Sequence, residues 1–141
     1  MSSSTPTVIT IETTVKAPIA KVWECWNDPA HVTKWNQASP DWHSPRAEND
    51  VRTGGRFIYR MEAKDGSFGF DFSGTYNEVK PNEYIKYTMD DNRKVEVWFQ
   101  QKPEGIYIKE NFEAEEMNSV ELQKEGWQSI LDSFARYCEK A

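Results

Sequence analysis

Residues 8–16, VITIETTVK, alternate so that Ile9, Ile11, Thr13 and Val15 share one face, the period of two that marks a half-buried strand. The period then lengthens. Ala17-Pro18 opens a helix, since proline is tolerated at the first helical position, and Ile19, Val22, Trp23 and Trp26 follow at helical spacing along one stripe. Asp28-Pro29 repeats the device with a capping carboxylate before the proline, and Val32 and Trp35 supply the apolar side of a second short helix. From Ser39 to Asp50, Pro40, Trp42, His43 and Pro45 show little periodicity, which predicts a loop leading into a weak strand over residues 43–49.

Turn signals then recur at Gly54-Gly55, Asp65-Gly66, Pro81-Asn82, Asp90-Asp91-Asn92 and Pro103-Glu104-Gly105, with alternating segments between them. Residues 56–63 carry Phe57, Tyr59 and Met61 on one face, and 68–79 carry Phe68, Phe70, Phe72 and Tyr76. Ile85, Tyr87 and Met89 mark 84–89, Val95, Val97 and Phe99 mark 94–101, and Ile106, Ile108 and Phe112 mark 106–114. The opposite faces are mostly polar, so the pattern predicts an antiparallel meander with one wet face and one face that another layer must cover. The C-terminal segment is suited to cover it. Asn118-x-x-Glu121 has the form of a capping box, and Trp127, Ile130, Leu131, Phe134, Ala135 and Cys138 form an apolar stripe about three turns long.

Composition changes this picture in one respect. Leu, Ile, Val and Phe together make up less than one-fifth of the 141 residues, and the only leucines are Leu122 and Leu131, yet six Trp and six Tyr bring the aromatics to 13%. Rings therefore replace leucine as buried surface, at about 150–250 Å² each. The fold class is α+β, one domain over residues 8–141, with residues 1–7 as a disordered Ser/Thr tail.

Seventeen Lys and Arg against 23 Asp and Glu give a net charge of −6, with no basic cluster, which argues against nucleic acid or an anionic membrane as partner. No apolar run reaches the length of a membrane span and no leader pattern precedes residue 8, so a cytoplasmic location is expected. Cys25 and Cys138 lie far apart without ligand spacing, and buried reduced thiols are their expected state. His31 and His43 have no paired acids at metal spacing, and no phosphate-binding loop or nucleophile motif occurs, so neither a metal nor a cofactor is expected.

Val15-Lys16-Ala17-Pro18 with Val22-Trp23, then Trp35, Gly54-Gly55-Arg56-Phe57, Gly74-Thr75-Tyr76 and Gly126-Trp127, in this order of elements, resembles the START-like SRPBCC superfamily. The closest branch looks like single-domain relatives of the activator of heat-shock protein 90 ATPase. The resemblance implies a helix-grip fold, in which a curved antiparallel sheet wraps the long C-terminal helix and encloses a mostly apolar cavity. It does not imply one function, because members of the superfamily carry lipids, cyclise polyketides, confer resistance or act as co-chaperones.

Function must then be argued from candidate residues. The row Phe68, Phe70, Phe72, Gly74 and Tyr76 is where a cavity wall is expected, with Gly74 leaving room beside the rings, although solid core packing is the alternative. Gly126 lies inside the last helix at a cost of about 1 kcal/mol. Either close helix–sheet packing or the approach of a ligand beside Trp127 explains it, and packing is preferred. Glu110 alternates onto the buried face with Ile106, Ile108 and Phe112, where a carboxylate needs a partner and its pKa rises, unless a bulge turns it to solvent. Trp35, Trp42 and His43 cluster near the expected cavity mouth, and both histidines read as surface residues.

The first functional reading is a module that binds a small apolar or amphipathic molecule, as a monomer or homodimer. Its binding residues are Trp35, Trp42, Tyr59, Phe70, Phe72, Tyr87, Phe99, Glu110, Trp127 and Leu131. The second is a cyclase- or hydrolase-like enzyme in which Glu110 and a tyrosine hydroxyl move a proton. Binding ranks above catalysis. A third reading, implied by the resemblance alone, is a co-chaperone of a heat-shock ATPase, and without the additional N-terminal domain of such activators no stimulation is expected.

Overall fold

Alternation and helical stripes become ten elements in a computed structural model that describes residues 7–37 and 39–141. In chain order they are β1 (Val8–Val15), α1 (Ile19–Asn27), α2 (Pro29–Trp35), β2 (Trp42–Asn49), β3 (Arg56–Ala63), β4 (Gly69–Lys80), β5 (Tyr84–Met89), β6 (Lys94–Lys102), β7 (Gly105–Glu113) and α3 (Val120–Lys140). The strands form one seven-stranded sheet in the order β1-β7-β6-β5-β4-β3-β2, with every neighbouring pair antiparallel. β1 and β2 therefore occupy opposite edges, and α1 and α2 carry the chain from one to the other.

Register shifts between His43 and Arg46 and between Tyr76 and Glu78 bend the sheet, because an extra residue on one strand raises its local twist. The result is a curled half-barrel around α3. This helix buries Leu131, Phe134, Ala135 and Cys138 of the predicted stripe, leaves Trp127 and Ile130 half-buried, and runs closest to β1. The centre of the core is fully buried and largely β-branched, with Val15, Val22, Val95, Val97, Ile106 and Ile108 packed around Phe112 and Phe134. Indole rings close its far side: Trp26 and Trp35 each meet Phe134 edge to face, at 4.9 and 5.0 Å between ring centres. Cys25 and Cys138 are both buried and free, and burial pushes both thiols up, that of Cys138 to about 12.

Several local expectations change. Ser119, not Asn118, caps α3: its hydroxyl accepts from the Leu122 amide at 3.1 Å, while Asn118 bonds to Glu115. The serine places its oxygen three residues before the amide it satisfies. Pro18 occupies the N-cap of α1 in place of the first helical position, and no side chain caps that end. Asp28 caps α2 as predicted, accepting from the Ala30 amide at 2.9 Å. Phe68 lies outside β4 and is 61% exposed, because the Asp65-Gly66 turn holds it beyond the first residue of the strand. Of the expected tail over 1–7, residues 1–6 lie outside the described residues, and the Thr7 carbonyl accepts from the Ala114 amide at the sheet edge. Among the described residues no helix is long and apolar enough to cross a membrane.

Candidate functional site

Where the sheet curls away from α3, a gap opens between the helix and the inward faces of β3, β4 and β5. A cavity of about 370 Å³ remains there, within the range of small-molecule sites. Cross-strand pairing sets its wall: Tyr59 lies opposite Phe72, Met61 opposite Phe70, and Tyr76 opposite Tyr87. Phe57 sits at the centre of this wall, with its ring 4.8 Å from that of Tyr87 and 5.4 Å from that of Phe72. The helical wall comes from Leu122, Gln123, Gly126, Trp127, Ile130 and Leu131, two neighbouring i, i+4 rows on one face of α3. Trp127 stacks flat on Phe112 at 3.9 Å and turns toward Phe72, at 5.9 Å between ring centres.

Eight of the ten predicted site residues line this cavity: Trp35, Tyr59, Phe70, Phe72, Tyr87, Glu110, Trp127 and Leu131. Phe99 does not. It points to the α1 side of the core, where Trp23 and Trp26 meet its ring at 5.4 and 5.5 Å, because β6 lies nearer the closed side of the half-barrel than β4 does. Trp42 also stands off the wall, 6.1 Å from Phe68 and 6.2 Å from Phe70, the last of which lines the cavity. Phe57, Tyr76 and Trp26 line the cavity without having been singled out as binding residues, although each lies on a predicted apolar face.

The two glycines exchange their expected roles. A Cβ at Gly74 would stand 2.7 Å from the Thr88 carbonyl oxygen and 3.0 Å from the Phe57 ring, so Gly74 permits close packing and leaves no room. A Cβ at Gly126 would meet nothing within 4 Å, which overturns the packing explanation: the space beside that helix turn is empty.

Glu110 faces inward as its alternation requires, 6% exposed, paired across the sheet with Ile11 and Val97. Among the described residues no hydrogen bond to its side chain is found. Burial alone raises its carboxyl to about 8. Tyr59 and Tyr87 are pushed well above the usual phenol range and Tyr76 to about 12, in each case chiefly by burial, so these hydroxyls stay neutral. The Tyr76 hydroxyl donates to Asn49 Oδ1 at 2.6 Å. Glu110 and the Tyr87 hydroxyl line the same cavity without a hydrogen bond between them.

Outside the cavity, His31 does have acids near it. Glu24, Asp28 and His31 bring their ligand-type atoms within 4.8 Å of one another, since α1 ends directly before α2 begins. All three side chains are already engaged. Asp28 caps α2, His31 shares a hydrogen bond with the Tyr137 hydroxyl, and its other ring nitrogen is 3.5 Å from Glu24. His31 is thus half-buried, whereas His43 is partly exposed beside Glu62, 3.6 Å away.

The family model described as Activator of Hsp90 ATPase homolog 1-like protein matches residues 16–139. The solution structure of the AHSA1-like protein from Aeromonas hydrophila is 44% identical, with a TM-score of 0.89 over 95% of this chain and 93% of that one. A solution structure from Cytophaga hutchinsonii is 53% identical, with a TM-score of 0.81 over 94% and 92%. A crystal structure from Chromobacterium violaceum, 24% identical with a TM-score of 0.83 over 95% and 99%, shares the fold. Among proteins of curated function, none matches.

Proposed function

The chain belongs to the Activator of Hsp90 ATPase homolog 1-like family, and from that premise we propose that it binds a small hydrophobic or amphipathic molecule in the cavity between β3–β5 and α3. The cavity itself carries the reading: about 370 Å³ walled mainly by rings, with Glu110, the tyrosine hydroxyls and a polar group of Arg93, Glu115, Asn118 and Gln123 also on its lining. An apolar body gains by leaving water for such walls, at about 25 cal/mol per Å² buried, and a small number of polar groups fixes its orientation. The two free thiols fit a reducing, cytoplasmic setting.

The test is fluorescence titration with N-phenyl-1-naphthylamine, an uncharged, non-basic dye that brightens in apolar surroundings. Saturable binding at one dye per chain is expected, weakened in Phe72→Ala with circular dichroism unchanged. Absence of saturable binding to the wild type would refute the reading.

A further inference from the structure

The charges around the cavity narrow the class of ligand, an inference that rests on the binding reading above. Three charged residues line the wall: Arg93, Glu110 and Glu115. Arg93 is committed elsewhere, its Nε donating to Asp91 at 2.8 Å and its Nη1 to the Glu113 carbonyl at 3.3 Å. Glu115 accepts from both the backbone and the side chain of Asn118, each at 2.8 Å. Glu110 alone is more than nine-tenths buried, faces the cavity and has no donor among the described residues.

A carboxylate withdrawn from water without donors loses its solvation, and a neighbouring ammonium restores both opposite charge and N–H groups. The remainder of the wall suits the same cation, because ring faces attract positive charge. Phe57, Phe72 and Tyr87 stand around the space in front of β4 and β5 with rings at steep angles to one another, so that faces as well as edges turn inward. A fatty acid would bring its carboxylate to a wall whose one cation among the described residues, Arg93, is already paired with Asp91. A neutral alcohol would gain the apolar contacts and a hydrogen bond with the carboxyl, but no opposite charge.

We propose that the cavity selects hydrophobic amines, with the ammonium against Glu110 and the apolar body along the aromatic walls. Pairing then expels the proton that burial keeps on Glu110. The other titratable groups on the wall do not supply it: the Tyr59, Tyr76 and Tyr87 hydroxyls are held neutral, and Arg93 and Glu115 are engaged with their own partners.

The experiment displaces N-phenyl-1-naphthylamine at pH 7 with decylamine, decanol or decanoate, each below its micelle concentration, from wild type and from Glu110→Gln. On wild type, decylamine should displace the dye at a concentration at least tenfold below decanol, with decanoate last. Calorimetry in two buffers of different ionisation enthalpy should report close to one proton released per bound amine. In Glu110→Gln, amine and alcohol should fall within twofold of each other, a ratio read independently of the variant's own dye affinity. Equal displacement by amine and alcohol on wild type, or alcohol ahead of amine, would overturn amine selection and leave the hydrophobic-ligand reading standing. A wild type that never binds the dye would overturn both. The wild-type ordering decides the matter even if Glu110→Gln does not fold.

Discussion

Gly126 allows the cavity to be tested through stability and binding at once. A glycine inside a helix is about 1 kcal/mol less favourable than alanine. Its added Cβ would meet no atom within 4 Å, so no clash offsets the gain. Gly126→Ala should therefore raise unfolding stability by about 1 kcal/mol, or about 3 °C in Tm for a domain of this size. Gly126→Leu keeps most of that gain and places four carbons in the cavity. At about 0.8 kcal/mol per buried methylene the ceiling is about 3 kcal/mol, and with the cavity open at one end about half of that is expected. Urea unfolding followed by tryptophan fluorescence measures the stability, and dye titration measures the site. Alanine should stabilise and leave dye affinity within a few-fold, whereas leucine should stabilise and weaken the dye at least tenfold. Destabilisation by alanine would show that the space beside Gly126 is not free. A stabilised leucine variant with unchanged dye affinity would show that the dye binds elsewhere.

Two further substitutions test the interior. The folded-state pKa of Glu110 is raised from 4.5 to about 8, so its contribution to stability is fully present below pH 4.5 and is lost as pH rises toward 8. Wild type should lose a few kcal/mol between pH 5 and pH 8, at most about 1.4 kcal/mol per pH unit. Glu110→Gln should flatten that profile and exceed wild type at pH 8, and parallel urea-unfolding profiles for the two proteins would contradict the assigned burial. At Gly74, alanine would press on the Thr88 carbonyl oxygen at 2.7 Å, a backbone atom that cannot swing aside. Gly74→Ala should cost about 1–3 kcal/mol in the same assay, and a neutral effect would mean that β4 and β5 sit farther apart than described.

Alternation made the strand faces legible: Ile9 and Ile11, Phe57 and Tyr59, Ile85 and Tyr87, and Ile106 through Phe112 all point inward as read. The same periodicity placed Glu110, since a strict period leaves a residue no choice of face when no bulge intervenes, and β7 has none. Periodicity gives direction and not distance. Phe99 and Tyr87 have the same character in sequence, yet one meets indoles from α1 and the other meets the cavity, because the gap between sheet and helices depends on curvature from bulges at His43/Arg46 and Tyr76/Glu78. The exposure of Phe68 and Phe70, 61% and 43%, follows from where β4 begins relative to the helix, which is likewise a tertiary property. Gly74 and Gly126 depart from expectation for that reason: each glycine signals an unusual surrounding, and only the neighbouring strand or its absence decides between crowding and space.

Two residues on the cavity wall each work against folding. Glycine at 126 weakens a helix interior, and a carboxyl at 110 interrupts a strand face otherwise built from Ile106, Ile108 and Phe112. Either alone could be accidental, but both line the same space, and both penalties shrink when it is filled: the glycine leaves volume for a guest, and the carboxyl gains a partner. A void left by imperfect packing accounts for lost contacts and gives no reason for a buried acid beside it. Local choices that oppose stability tend to gather where function constrains them. Filling the space from within should therefore separate the two penalties: Gly126→Leu relieves that of the helix and leaves Glu110 unpaired. In that variant the decline in stability between pH 5 and pH 8 should persist while dye binding is lost.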